Sequence, residues 1–377
     1  MNEPVRHGLI GYGLGGRLFH APFIEAARGI ELAGVVTRSP LRRGELQSDF
    51  PDVPCFGSVA ELLASGVESV TITTPPETRR ELVLQALDAG VHVVADKPFA
   101  PDAESAVELV QEARAANVIL SVFHNRRYDA DVRTLHRLFE TGRLGNIWRL
   151  HSRFDLNLPD TLDGGPAGGL LRDTGAHLVD QALWLLGDVS AVSATLNWIE
   201  RDGDRIDAGF VITLRHTSGA VAYLSSSKVN RVTARTLLVY GQLGSYEAAG
   251  TDVQFAALLA GKRPADDRLS WGFEDESNWG MLHTAEGTRT IPSEQGAYFR
   301  FYERFAAAVR GTATPPTPGA DAIRTLQILD AARLSDAQER WVLPLASVWS
   351  LPPDPWKRNV PLPAGSLTRD TLRKMCN

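Results

Sequence analysis

Three groups of residues in this 377-residue chain have the types and spacing to do chemistry. The first is Gly11-Tyr12-Gly13-Leu14-Gly15-Gly16, directly after the apolar run 7–10. Glycines at 11, 13 and 16 satisfy the spacing of a dinucleotide-binding turn. The first permits a tight turn and the second lets the backbone approach a pyrophosphate. The third allows close helix–strand packing, and the helix N-terminus that follows faces phosphate charge. The second group is Lys97, after the run 91–95 and before Pro98. A lysine at the carboxyl end of a parallel strand stands where open α/β sheets bind ligands. Its ammonium can donate to a substrate oxygen and stabilise alkoxide charge. Pro98 fixes the local backbone, with a cis bond as one option. The third group is the stretch 168–177, which in a helix sets Asp173 and His177 four apart on one face. His177 can accept an alcohol proton near neutral pH, and Asp173 can bind a neighbouring hydroxyl or orient the imidazole. Taken singly, each group also has a plainer reading: a glycine turn, a solvated lysine, a surface pair.

The end of the second apolar run, Val35-Val36-Thr37-Arg38-Ser39, bears on cofactor choice. An NAD enzyme usually places Asp or Glu there for the ribose diol, and no acid occupies 36–40. Arg38 and Ser39, with Arg42 and Arg43 nearby, suit a 2′-phosphate instead. The expected cofactor is NADP, with NAD as the alternative. A dense polar cluster, His124-Asn125-Arg126-Arg127-Tyr128-Asp129, follows another strand-like run and suits the binding of hydroxyls. The expected substrate-binding set is His124, Asn125, Arg127 and Asp155 together with Asp173 and His177. Trp271 and Trp279 are candidates for an apolar face against a sugar ring. No third ligand with zinc-site spacing accompanies the Asp–His pair, so no metal is expected.

These groups need a scaffold, and the pattern supplies one. Up to about residue 125, short apolar runs (7–10, 31–37, 69–74, 91–95, 118–123) alternate with amphipathic stretches such as 78–89 and 102–116. That grammar predicts a parallel sheet with helices on both faces. Asp102 is a candidate N-cap, and Pro22 is expected to kink or shorten the helix after the glycine turn. After about residue 146 one helical stretch, 170–186, gives way to long alternating runs (190–199, 207–215, 220–228, 236–240). Thr217-Ser218-Gly219 turns a hairpin among them. The prediction is an antiparallel or mixed sheet open on one face. Helices are expected at 297–309 and 320–334, the later one returning to the first domain. The expected domains are 1–125, 126–346 and a proline-rich extension, 347–377.

Composition narrows the partners. Hydrophobic residues make up 44% and charged residues 22%, an ordinary globular profile. A formal net charge of −6 argues against nucleic acid. No run of 18 apolar residues suggests a membrane span, and no signal-peptide pattern opens the chain, so a cytoplasmic location is expected. Cys55 and Cys376 read as free thiols.

At this point the chain resembles the Gfo/Idh/MocA oxidoreductase family. The resemblance rests on the glycine loop, Thr73-Thr74-Pro75, Asp96-Lys97-Pro98 and the Gly169…Asp173…His177 stretch, in matching order and separation, and covers roughly residues 5–345. Phe19-His20-Ala21-Pro22, His124-Asn125-Arg126-Arg127 and Ile291-Pro292-Ser293 look like the branch containing NADP-dependent scyllo-inositol dehydrogenases. The resemblance implies a Rossmann domain followed by an α/β domain with a large, open, mostly antiparallel sheet, and a homodimer or homotetramer. It implies Lys97, Asp173 and His177 as the catalytic constellation. Leu14, Gly15, Thr73, Thr74, Pro75, Asp96 and Lys97 join Gly11, Gly13, Gly16, Arg38 and Ser39 as cofactor-binding residues. The implied substrate is a cyclic polyol or sugar. Asp96 departs from the glutamate more usual at its position. Two other functions remain open on the same fold: a non-catalytic dinucleotide-binding regulator, and an NAD-dependent redox glycosidase.

Overall fold

In the computed structural model, which describes residues 3–165 and 168–344, the alternating first segment forms one parallel sheet. The expected extension at 347–377 lies outside the described residues. The strands are β1 (Val5–Ile10), β2 (Ile30–Val36), β3 (Cys55–Phe56), β4 (Ser69–Ile72), β5 (His92–Ala95) and β6 (Leu120–Val122). Between them run α1 (Ala21–Ala26), α2 (Pro40–Asp49), α3 (Val59–Ala64), α4 (Pro76–Asp88) and α5 (Ala103–Ala115). The order is β3-β2-β1-β4-β5-β6, with every pair parallel. That is the doubly wound Rossmann order, and it reverses direction between β1 and β4. Helices cover both faces, which is why all four residues of β4 are buried. Strand β3 escapes sequence reading because two residues carry no periodicity. Asp102 caps α5 by accepting the Ser105 N–H at 2.8 Å.

The second part builds an eight-stranded sheet from β7 (Ile147–Asn157), β8 (Val189–Arg201), β9 (Asp204–His216), β10 (Val221–Ser227), β11 (Val229–Gly241), β12 (Gly244–Ala249), β13 (Gly280–Thr284) and β14 (Gly287–Ile291). Its order is β14-β13-β12-β11-β7-β10-β9-β8, antiparallel except for the central β7–β10 pair. The 217–219 turn joins β9 and β10 as a hairpin, with Gly219 at φ +91°. One face carries α6 (Ala130–Glu140), α7 (Ala176–Leu186) and the 20-residue α10 (Gly319–Gln338), while α8 (Val253–Leu259) and α9 (Phe299–Val309) pack elsewhere. Along β9 the buried Phe210, Ile212 and Leu214 alternate with Val211, which is 52% exposed on the other face. Helix α10 ties the two sheets together. Its Asp330 accepts the Ala103 N–H of α5 at 3.0 Å, and its Ser335 hydroxyl accepts the Ala194 N–H of β8 at 3.0 Å.

Candidate active site

The reversal of strand order sets the ends of β1 and β4 side by side. Gly11 follows β1 at φ +102°, and the Thr73 N–H donates to the Ile10 carbonyl at 3.0 Å. A Cβ on Gly16 would lie 2.2 Å from the Gly11 oxygen, so only glycine lets the chain turn back this tightly. A Cβ on Gly13 would meet nothing within 4 Å, because that position opens onto the cleft. The helix that follows starts as a wide turn, Gly15–His20, with the Ala21 N–H reaching back to the Gly16 carbonyl. Pro22 then sits in the first turn of α1, where its missing N–H costs nothing. The cradle matches what a pyrophosphate needs: close backbone approach, free N–H groups and no side chain in the way.

A cleft of about 590 Å³ opens from this loop. Gly13, Leu14, Gly15, Thr73, Thr74, Pro75, Asp96, Lys97 and Asp173 all border it. Two loops on its floor are stapled by Arg79 of α4, which is 4% exposed. Its guanidinium donates to the carbonyls of Thr74 at 2.7 Å and Asp96 at 2.9 Å, and also to that of Pro98. The Lys97–Pro98 peptide is cis. Asp96 accepts the Lys97 N–H at 2.8 Å and the Thr73 hydroxyl at 3.1 Å, with the His20 imidazole 3.5 Å away. Burial opposes its ionisation. The His20 ring and the Arg79 and Lys97 charges outweigh that and hold the carboxyl well below the usual carboxylate range.

Opposite Lys97 stands Asp173. Its segment, Leu171–Gly175, is again wound wider than an α-helix and runs into α7. Asp207 on β9 anchors its start, accepting the Leu171 N–H at 2.6 Å. Gly169, at φ +91°, makes room for that carboxylate, since a Cβ there would fall 1.9 Å from Asp207 Oδ1. Lys97 Nζ donates to Asp173 Oδ1 at 2.5 Å, and Lys228 Nζ donates to Asp173 Oδ2 at 2.7 Å. Burial would raise the Asp173 carboxyl, but the two ammonium groups drive it far below the usual range, so it is a carboxylate. Both of its oxygens are occupied by lysines, and it makes no hydrogen bond to His177. The expectation that Asp173 orients the imidazole is replaced by this double clamp.

His177 is 7% exposed, is not among the residues bordering the cleft and forms no hydrogen bond among the described residues; its Nδ1 is sealed from solvent. Burial first, then the Lys97 and Arg126 charges, push its pKa well below the ordinary imidazole value, so it is neutral at pH 7. The His124 ring stands edge-on to it, with centroids 6.5 Å apart.

The remaining expected residues lie as follows. Arg38 and Ser39 sit past the end of β2, beyond the cleft's border. Arg38 is exposed and forms no ion pair among the described residues, whereas Arg42 pairs with Glu45 at 2.7 Å. Ser39 caps α2, accepting the Arg42 N–H at 3.4 Å. His124, Asn125 and Arg127 are buried around the short turn Asn125–Tyr128 rather than bordering the cleft. Arg127 forks onto Asp180 at 2.8 and 2.6 Å. Asp155 is buried on β7 and takes the Arg153 guanidinium. Trp271 packs edge-on against Phe23 in the core, and neither it nor Trp279 borders the cleft. Sequence reading gave no role to Lys228, Arg79 or Asp207, and quoted His20 only as part of the Phe19-His20-Ala21-Pro22 resemblance. The one available signal for Lys228 was its place at a strand end, the same position that singles out Lys97. Among the described residues, no group of three or more His, Cys, Asp or Glu could hold a metal ion. No described helix is long and apolar enough to cross a membrane.

A Rossmann sheet with a glycine cradle, joined to a large open sheet that completes the cleft, defines a two-domain nicotinamide-dinucleotide oxidoreductase. Comparison with known proteins agrees. Residues 5–124 match the NAD-binding Rossmann domain of the Gfo/Idh/MocA oxidoreductase family, and residues 132–247 match its C-terminal domain. The chain belongs to that family. It is 31% identical to the scyllo-inositol 2-dehydrogenase (NADP(+)) IolW of Bacillus subtilis, over 90% of this chain and 96% of that protein. It is 33% identical to an uncharacterized oxidoreductase, YdgJ of Escherichia coli, over 92% and 100%. A solved structure of the yvaA protein of Bacillus subtilis superposes with a TM-score of 0.83 at 31% identity, covering 90% and 98%.

Proposed function

We propose that this protein is an NADP-linked dehydrogenase interconverting a secondary alcohol and a ketone on a cyclic polyol or sugar. The observation that carries the reading is a carboxylate at the cleft's border, Asp173, clamped by two lysines, with the buried imidazole of His177, whose Nδ1 has no partner among the described residues, four residues further along the same stretch. A buried imidazole without a partner costs stability unless something else fills its hydrogen-bonding capacity. In this reading the substrate hydroxyl reaches the ring through Nε2, since Nδ1 is sealed from solvent.

In the oxidising direction, His177 accepts the hydroxyl proton and becomes imidazolium. Lys97 donates to the same oxygen and stabilises its developing negative charge. Asp173 holds Lys97 in place and presents carboxylate surface to a neighbouring hydroxyl. The nicotinamide, when bound, supplies the hydride acceptor. The carbinol C–H electron pair leaves with the hydride, and the C–O bond gains a second pair as the ketone forms. Gly13, Leu14 and Gly15 would hold the pyrophosphate, and Thr73, Thr74, Pro75 and Asp96, which border the same cleft, would contact the bound cofactor. Arg38 and Ser39, with the α2 N-terminus behind them, would hold a 2′-phosphate. The relative named for NADP supports that preference. The outward face of the second sheet, where Val211 and Tyr223 are exposed, is the surface on which a homodimer or homotetramer would assemble.

The test is turnover of scyllo-inositol and a sugar panel with NADP and NAD, alongside His177→Ala. The expected result is NADP-dependent oxidation that falls roughly 100-fold or more in the variant. Dinucleotide binding with no net reduction on any substrate would overturn the dehydrogenase reading.

A further inference from the structure

A second hollow, of about 480 Å³, lies among α6, α7, α9 and the Asn125–Tyr128 turn. Five arginines border it, Arg127, Arg133, Arg137, Arg300 and Arg304, in a chain whose net charge is −6. Among the described residues, two carboxylates, Glu140 and Glu294, share that border. Arg127 is neutralised by Asp180, with Asp321 also 3.6 Å away, and Arg133 has Glu294 at 3.7 Å. Glu140 lies 3.7 Å from His136, which stacks flat on Trp184. Arg137, Arg300 and Arg304 form no ion pair among the described residues, although Arg304 donates to the Thr314 carbonyl and hydroxyl. The excess has a cost: burial, and then the facing Arg300 charge, lowers the Arg133 guanidinium from its ordinary value. Guanidinium groups on the border of a concave hollow suit the recognition of oxyanions.

We propose that this hollow is a binding site for a small, multiply charged oxyanion, a phosphate ester or a polycarboxylate, with Arg137 and Arg300 as its free anchors. The site is wired to the candidate active site. Arg127 borders the hollow and holds Asp180, and Asp180 Oδ2 lies 3.8 Å from His124 Nδ1. His124 in turn faces His177. An anion that draws on Arg127 loosens its hold on Asp180 and so changes the charge and packing beside His177. By linkage, occupancy of the hollow and of the active site then affect each other reciprocally. This coupling rests on the role proposed for His177, whereas the binding site itself does not.

The experiment is calorimetric titration of the full chain, in excess NADP, with inorganic pyrophosphate and separately with citrate. The wild type is compared with the double variant Arg137→Ala/Arg300→Ala. Both residues are exposed, so the variant is expected to fold. At least one probe should bind once per chain, and the double variant should weaken it roughly tenfold or more, as loss of charge-assisted bonds predicts. The stronger probe identifies the class: pyrophosphate for phosphate esters, citrate for polycarboxylates. No heat from either probe, or equal binding by both proteins, would overturn the site. A double variant that alters the oligomeric mass while neither probe binds would assign the hollow to contact between copies, and would overturn it too. The coupling is read as a change in wild-type turnover on adding the probe, absent in the variant. Binding without that change overturns the coupling alone. Absence of all turnover indicts the dehydrogenase reading and leaves the isotherm to decide the site.

Discussion

Lys228 Nζ, just past the end of β10, lies 2.7 Å from Asp173 Oδ2, on the carboxylate whose other oxygen is held by Lys97. One lysine follows a strand of each sheet, and a single carboxylate joins them. Lys228 is itself fixed, because its ammonium also donates to the Thr161 carbonyl at 3.0 Å. The carboxylate that positions Lys97 therefore takes its own position from the second sheet.

Replacing Lys228 by Met keeps the buried stem and removes the charge. Asp173 then loses one of its two cations and is free to shift toward Lys97. Turnover is expected to fall roughly tenfold to hundredfold, about 1.4–2.7 kcal/mol in the barrier. An unchanged circular dichroism spectrum would separate this loss from unfolding. Wild-type turnover in the variant would show that Lys97 and Asp173 hold their places without it.

His177 sets the acid limb of alcohol oxidation in this reading. The proton acceptor must be neutral, and burial followed by the Lys97 and Arg126 charges lowers its pKa well below 6.5. kcat/KM should therefore stay flat as pH falls from neutrality to the ordinary imidazole value, and decline only below it. A limb centred at or above that value would exclude His177, in this environment, as the base.

Arg38→Ala tests the choice of cofactor. The side chain is exposed and makes no ion pair among the described residues, so stability should barely change. The ratio of kcat/KM with NADP to that with NAD should drop roughly tenfold or more, through the NADP value alone. An equal loss with both cofactors would place Arg38 against a part they share.

His7 ties stability to pH. Its ring is enclosed, 2.7 Å from both the Ser69 and Thr71 hydroxyls, and burial, with a smaller contribution from His20, takes its pKa down to about 3. Between about pH 6.5 and 3 the unfolded chain holds a proton that the folded chain lacks. Stability is therefore lost as pH falls through that window, by up to about 1.4 kcal/mol per pH unit. Urea unfolding of His7→Gln between about pH 6 and 4 should show a slope shallower by up to one proton. Identical slopes would mean that His7 does not carry the effect.

The Rossmann half was legible because its signals are local. Glycines at 11, 13 and 16 are dictated by a turn of six residues, and β-branched runs buried on both faces announce a parallel sheet. Lys97 was legible from its place after β5, and the hairpin at 217–219 from its turn chemistry. Strand β3 was not, since its two residues belong to the sheet only by pairing with β2.

The sequence by itself determined the two-part α/β architecture, the dinucleotide cradle, the absence of an acid after β2, and Lys97, Asp173 and His177 as the groups to watch. Tertiary structure decided which of them meet. It brought Lys228 to Asp173 across 55 residues, set Arg79 beneath the cleft loops, and turned Arg127 away to Asp180. Packing also buried His177 and so lowered its pKa from the ordinary imidazole value. The physical reason is that glycine turns and strand patterns depend on neighbours a few residues away. A charge's partner and an imidazole's pKa depend on burial and on groups that only packing brings together.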